Sequence, residues 1–159
     1  MVRAWYLQSV ADDGAVERPP DKEKLLKRET VATKTGVRVY YFKASEDVDE
    51  PELLKLKEEI GIRTEDVIVI AKGSPDYEKQ SKMFGVEHLH PDDEIRWVVA
   101  GVTYFDVRTL DDRWIRVELC SGDMIALPPG IYHKLVLEPD EARMRRTSSS
   151  SFMWDCSLA

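Results

Sequence analysis

This chain of 159 residues has the composition of an ordinary globular protein, with 43% hydrophobic and 33% charged residues. Its 30 acidic and 23 basic residues give a net charge of −7, which argues against nucleic-acid binding because phosphates attract a basic surface. The sequence also shows neither an apolar run of about 20 residues nor a secretory leader. We therefore predict one domain over residues 1–159 and a monomer that is located in the cytoplasm and can also enter the nucleus. We expect it to bind neither nucleic acid nor membranes.

The N-terminal half mixes helical and strand-like segments. Proline suits a first helical turn and glycine a helix end, so a helix is expected between Pro51 and Gly61. Runs rich in β-branched and aromatic residues indicate strands. The predicted elements are short helices over 21–28, 51–61 and 74–85 and strands over 37–44 and 65–73.

From residue 86 onward the chain has the pattern of an all-β domain. The strand-like runs are VEHLH, EIRWVVAG, TYFDVRT, WIRVELCSG, DMIALPPG and YHKLVLEP. Each ends in turn residues, at the spacing typical of a sandwich or barrel, and Ile115, Val117 and Leu119 alternate with polar residues. We predict a mainly β barrel with a few short helices in the N-terminal half, followed by a loosely ordered tail over about 140–159.

All three histidines of the chain fall into one candidate metal site. His88 and His90 are two positions apart, so on a strand their side chains leave from the same face, and Glu94 can return toward them across the next turn. His133 can join from a separate strand. Three imidazoles and one carboxylate suit Fe, Ni, Mn, Co or Zn better than Ca or Mg. The alternative is that His88 and His90 are ordinary surface or core-edge residues.

These spacings resemble the two motifs of the cupin superfamily, whose members are double-stranded β-helix (jelly-roll) barrels. The first motif is met by His88, His90, Glu94 and Gly101, and the second by Gly122, Pro128, Gly130 and His133. The cupin fold serves many chemistries and does not by itself assign a function.

Longer stretches resemble one cupin family, the acireductone dioxygenases. They are KMFGVEHLHPDDEIRWVVAGVTYFDVR, DRWIRVELCSGDMIALPPGIYH and the N-terminal AWY, and the likeness runs from about Val37 to His133. The resemblance implies a methionine-salvage enzyme that adds dioxygen to a metal-chelated 1,2-dihydroxy-3-keto-5-methylthiopentene. With Fe(2+) it would form formate and 4-methylthio-2-oxobutanoate, and with Ni(2+) formate, carbon monoxide and 3-methylthiopropionate. One ion per chain would be held by His88, His90, Glu94 and His133.

Two further residues are implied by the resemblance. Arg96 follows Glu94 by two positions, so it shares a strand face with it and could orient an enediolate as catalytic and substrate-binding residue. The alternative for Arg96 is a surface salt bridge beside Asp92 and Asp93. Phe84 resembles the family's pocket phenylalanine, which packs against the methylthio arm, and the alternative is an ordinary core phenylalanine.

The C-terminal part departs from the family because a run of serines replaces apolar strand residues, with Arg146 and Trp154 as the remaining candidates for the family's later arginine and tryptophan. That departure keeps open a non-catalytic metal-binding cupin. A cupin sugar-phosphate isomerase is a further alternative. It would need basic residues that converge on a phosphate, for which Arg96, Arg108 and Arg116 are the candidates.

Overall fold

The computed structural model describes residues 2–8, 20–42, 51–59, 61, 64–70, 77–137 and 142–148. The helices in these ranges are α1 (Arg28–Thr35), α2 (Pro51–Glu59) and α3 (Tyr77–Gly85). The strands are β1 (Arg3–Tyr6), β2 (Arg38–Tyr41), β3 (Thr64–Ile70), β4 (Glu94–Ala100), β5 (Val102–Arg108), β6 (Trp114–Cys120), β7 (Asp123–Leu127), β8 (His133–Leu137) and β9 (Ala142–Ser148). No helix within the described ranges has the length and apolar character that crossing a membrane requires.

The strands form two antiparallel sheets around one core. The four-stranded sheet has the order β1-β6-β5-β8, and the five-stranded sheet has the order β2-β7-β4-β9-β3. Phe105 and Val117 of the first sheet and Val98 and Ile125 of the second are buried in the same cluster. The predicted mainly β fold, with its helices in the N-terminal half, is confirmed.

The first elements of the chain differ from the prediction. Strand β1, which lies at the edge of the four-stranded sheet beside β6, was not predicted. The helix predicted over 21–28 is one turn of 3-10 helix at Lys22–Lys24, and the α-helix begins only at Arg28. The reason is that the Leu26 backbone N–H donates to the Ala4 carbonyl over 2.7 Å, so the chain is held extended along β1 where a helix would continue.

Residues 86–90 do not form the predicted strand. His88 makes an isolated bridge with His133, in which the two residues exchange backbone hydrogen bonds of 3.0 and 2.9 Å. One more bond follows, from the Gly130 N–H to the His90 carbonyl over 2.8 Å. Pro91 then follows without an N–H to donate, so the ladder does not continue.

The prediction of a loosely ordered tail from about residue 140 is wrong for residues 142–148. These residues form β9, which lies between β3 and β4 and pairs with both. Backbone hydrogen bonds to two neighbouring strands do not depend on apolar side chains, so the polar sequence of β9 did not reveal it. Residues 149–159, with Trp154, lie outside the described part of the chain.

Candidate metal centre

The four predicted ligands converge on one point. His88, His90, Glu94 and His133 each offer a ligand atom, and these atoms all lie within 4.8 Å of one another. The ring centroids of His88 and His133 are 4.4 Å apart, and that of His90 is 5.1 Å from the first and 5.4 Å from the second. This convergence favours a shared site over the alternative that His88 and His90 are ordinary surface or core-edge residues.

Both sheets contribute to this cluster. Glu94 is the first residue of β4 in the five-stranded sheet, and His133 is the first residue of β8 in the four-stranded sheet. The segment with His88 and His90 is joined to His133 by the isolated bridge. The site thus lies where the starts of two strands from opposite sheets meet.

Two of the imidazoles are oriented by backbone carbonyls. The His88 Nδ1 lies 2.7 Å from the Val86 carbonyl oxygen, and the His133 Nδ1 lies 3.0 Å from that of Ile131. A carbonyl only accepts, so Nδ1 carries the proton in both rings and a neutral ring presents the lone pair of Nε2 to the centre. These contacts could not be predicted from the sequence, because every residue has a backbone carbonyl and the residue types do not indicate which one faces an imidazole.

The buried carboxylate of Glu94 divides its contacts. Its Oε2 lies 2.7 Å from His90 Nε2 and 3.2 Å from His133 Nε2, and its Oε1 lies 2.9 Å from Arg96 Nη2. With the proton of a neutral His133 on Nδ1, its Nε2 and the Glu94 oxygen are two acceptors in contact. Such a contact requires a proton or a cation, so the donor set fits a metal ion.

Electrostatics favour the ligand forms of these groups. Burial opposes ionisation of Glu94, but the positive charge of Arg96, together with the close imidazoles of His133 and His90, outweighs it and holds the pKa of the carboxyl well below its usual range. Burial lowers the pKa of His88 below its ordinary value, although its hydrogen bond with Val86 acts in the opposite direction. At neutral pH the centre therefore offers a carboxylate and a neutral His88 imidazole.

Arg96 is buried at the site, with 6% of its surface exposed, and its partner is Glu94. The alternative of a surface salt bridge beside Asp92 and Asp93 is therefore wrong. Arg96 lies opposite Arg146 in the register of β4 and β9. A role in orienting a substrate stays a prediction.

Phe84 lies near the end of α3 and is half-buried, where it packs against the core between the sheets. Helix α3 lies against β8, the strand that begins with His133. The structure thus shows core packing for Phe84, and contact with a methylthio group stays a prediction.

Fold and site together define a cupin-type barrel with a cluster of three histidines and one glutamate at one end. The model of the ARD/ARD′ family matches residues 3–148, a longer span than the resemblance predicted from the sequence. The chain belongs to this family, and the predicted resemblance to the acireductone dioxygenases is confirmed.

Relatives and solved structures agree with this assignment. The acireductone dioxygenase of Macaca mulatta is 38% identical over 156 residues, which cover 97% of this chain and 87% of that protein. That of Monodelphis domestica is 42% identical over 141 residues, covering 87% and 77%. A solved structure of the acireductone dioxygenase from Bacillus anthracis, with a cadmium ion in its active centre, superposes with a TM-score of 0.70 at 20% identity and covers 95% of this chain and 94% of its own. The predicted cupin fold is confirmed.

Proposed function

We propose that this protein is an acireductone dioxygenase that adds dioxygen to 1,2-dihydroxy-3-keto-5-methylthiopentene. The observation that carries the proposal is the convergence of four ligand atoms within 4.8 Å of one another, in a chain whose curated relatives bear this name. Motif spacing alone would also fit cupins with other activities.

The cofactor in this proposal is one Fe(2+) or Ni(2+) ion, held by His88, His90, Glu94 and His133. A divalent ion at such a site supplies Lewis-acid chemistry toward an enediolate and toward oxygen. Fe(2+) is assigned to the reaction that yields formate and 4-methylthio-2-oxobutanoate, and Ni(2+) to the one that yields formate, carbon monoxide and 3-methylthiopropionate. The donor set suits either metal, since imidazole binds both.

The protein's own contribution is charge and orientation. Arg96 is buried beside the ligands and would balance the charge of a bound enediolate, while its contact with Glu94 keeps that carboxylate ionised. Burial lowers the local dielectric and strengthens these interactions relative to water. Phe84, on the helix against β8, is assigned to the methylthio arm.

Oxygen uptake tests the proposal. Protein purified without oxygen and loaded with Fe(II) or Ni(II) should consume dioxygen only after acireductone is added, with carbon monoxide released only from the nickel form. Absence of uptake with both metals contradicts the proposed activity. Metal retained without turnover would instead favour the non-catalytic cupin.

A matched variant separates turnover from metal binding. At saturating metal, Arg96→Gln should still hold one ion per chain, with a lower affinity because Glu94 loses its charge partner, and should lose activity by roughly 100-fold, the usual effect of removing one charged group that stabilises an anionic transition state. Elemental analysis and initial rates on the same preparation check this. Full activity in Arg96→Gln would contradict the role given to Arg96.

The structure does not support the sugar-phosphate isomerase alternative, because the basic residues it requires pair with carboxylates elsewhere. Arg116 alternates with the core residues Ile115 and Val117, so it lies on the opposite face of β6, where Asp106 binds its guanidinium. Arg108 binds Glu87. The candidate arginines therefore do not converge with Arg96 on a phosphate.

A further inference from the structure

The segment with two of the four ligands has few backbone bonds to the barrel. Among the described residues, His88 and His90 are tied to the 130–133 segment by the three backbone hydrogen bonds given above, and no ladder extends from them. Both side chains are partly exposed. A single bridge fixes the position of His88 along β8, but it only weakly restrains rotation of the segment with His88 and His90 relative to β8.

Arg108, the last residue of β5, supplies a second restraint. Its Nη1 lies 3.0 Å from Glu87 Oε1, and its guanidinium carbon lies 5.6 Å from the centroid of the Tyr132 ring. Its backbone N–H donates to the Tyr132 carbonyl over 2.9 Å. Glu87 directly precedes His88 and Tyr132 directly precedes His133. One side chain thus contacts the neighbours of ligands on both sides of the bridge.

The geometry uses properties that are specific to arginine. The guanidinium presents several N–H donors in one plane, and its Nε also lies 3.2 Å from Asp112 Oδ1. The planar group can contact the Tyr132 ring while it binds Glu87. A lysine ammonium would offer one point charge without the flat surface.

We propose that Arg108 is a positioning residue of the metal centre, which holds His88 in register with His133 through Glu87 and Tyr132. The inference rests on the proposed metal site. Arg108 would act through the backbone of the ligand segment and would touch neither metal nor substrate. Its loss should weaken metal binding because the ion would then have to order the ligand segment as it binds. The cost of that ordering would reduce the free energy of binding.

A double-mutant cycle on Co(II) binding tests this. Arg108→Gln, Glu87→Gln and the double variant are titrated with Co(II) as full-length apoprotein, followed by calorimetry and by the visible absorption of the bound ion. Each single variant should bind Co(II) roughly 10-fold more weakly, at the low end of the effect of outer residues on metal affinity. The double variant should lose no more than Arg108→Gln alone, because Glu87→Gln removes a contact that Arg108→Gln has already removed.

The matched control is Arg113→Gln. Arg113 lies in the same hairpin, but its guanidinium carbon lies 3.6 Å from the centroid of the Tyr6 ring. Arg113→Gln should bind Co(II) like the parent chain. The thermal midpoint of each apoprotein shows whether folding itself has changed, and Glu87→Gln serves if Arg108→Gln does not fold.

Four results would overturn the proposal. They are unchanged Co(II) affinity in both single variants, losses that multiply in the double variant, an equal loss in Arg113→Gln, and a parent chain that does not bind Co(II). Failure of the dioxygenase proposal gives a different result, since a parent chain with intact Co(II) binding would then show no oxygen uptake in the Fe(II) or Ni(II) form.

Discussion

The Glu94 carboxylate supports the site through both of its oxygens. One oxygen contacts the imidazoles of His90 and His133, and the other contacts Arg96. Because Glu94 and Arg96 are both buried, water replaces neither interaction. Arg96 therefore stabilises the ligand set even before any substrate contact is considered.

The reactivity of the Cys120 thiol can be predicted independently of the metal. Burial raises the pKa of its thiol, and the carboxylates of Glu118 and Asp123 raise it further. Less thiolate is then present at any pH below that pKa, so alkylation by iodoacetamide at pH 8 should be slower than for an unstructured cysteine peptide and should increase with pH. Mass spectrometry of the Cys120 peptide measures the rate. A rate equal to that of the free peptide would contradict the burial of the thiol.

Residue types and spacing were sufficient to predict which four side chains converge. His88, His90, Glu94 and His133 have donor chemistry that few other residues share, and the period-2 geometry of extended chain groups the first two. The contacts of Arg108 could not be predicted in this way. They depend on the register between β5, β8 and an irregular segment, and an arginine near the end of a strand is common on protein surfaces.

At the scale of elements, the turn from β6 to β7 has a strict requirement for glycine. Gly122 has φ +92°, and a Cβ there would lie 2.6 Å from the Phe42 carbonyl oxygen and 2.7 Å from the Tyr41 ring. Its N–H donates to the Val98 carbonyl and its carbonyl accepts from Phe42, both over 2.8 Å. The turn thus connects β7 to the ends of β2 and β4.

Gly122→Ala should therefore lower the free energy of unfolding by roughly 2–4 kcal/mol, as the sum of backbone strain and a clash with backbone atoms. Gly85→Ala is the control, since a Cβ at Gly85 would meet no atom within 4 Å, and it should change stability by less than about 0.5 kcal/mol. Urea unfolding measures both. Equal stability of the two variants would contradict the close approach at Gly122.

A buried ion pair joins β5 and β6 on the face away from the core. Arg116 Nε lies 2.7 Å from Asp106 Oδ1, and Nη2 lies 2.8 Å from Oδ2, between residues directly opposite in register. Asp106→Ala should cost roughly 3–5 kcal/mol because it leaves a buried guanidinium without its carboxylate.

Replacing both partners, by Asp106→Leu with Arg116→Met, should recover most of that loss because no buried charge remains. Lys55→Ala is the control: Lys55 is 77% exposed and lies 3.9 Å from Glu59, so the change should be less than about 0.5 kcal/mol. Chemical denaturation compares the variants. An Asp106→Ala variant as stable as the parent would show that the pair contributes nothing.

Elements with clear periodicity were predicted, and those set by tertiary contacts were not. In β6, Ile115, Val117 and Leu119 alternate with polar residues, and the strand was evident from the sequence. Neither β1 nor β9 shows such a pattern, since β1 is four residues long and three of the seven residues of β9 are arginine. Both are strands because neighbouring strands supply backbone partners.

At the scale of the whole molecule, the metal centre links the two sheets. A bound ion would join Glu94 of the five-stranded sheet to His133 of the four-stranded sheet. The monomeric state and the cytoplasmic location expected from the sequence stay predictions.

Metal binding should therefore raise thermal stability. At a free metal concentration of about 100 times Kd the gain is about 2.7 kcal/mol, which corresponds to a rise in Tm on the order of 5–10 °C for a chain of this size. A chelator should reverse the rise, and His88→Ala should abolish both metal retention and the shift. Differential scanning calorimetry with elemental analysis checks each point. Unchanged metal content in His88→Ala would refute the ligand assignment.

The reciprocal bridge between His88 and His133 makes metal uptake a test of strand alignment. Side chains alternate between the two faces of a strand, so displacing β8 by one residue would turn the His133 ring from the interior to the outside. A misaligned molecule could keep much of its hydrogen bonding and still lose one donor of four. The metal content per chain, measured by elemental analysis after free ions are removed, would then distinguish correctly aligned barrels from shifted ones, which circular dichroism would count alike.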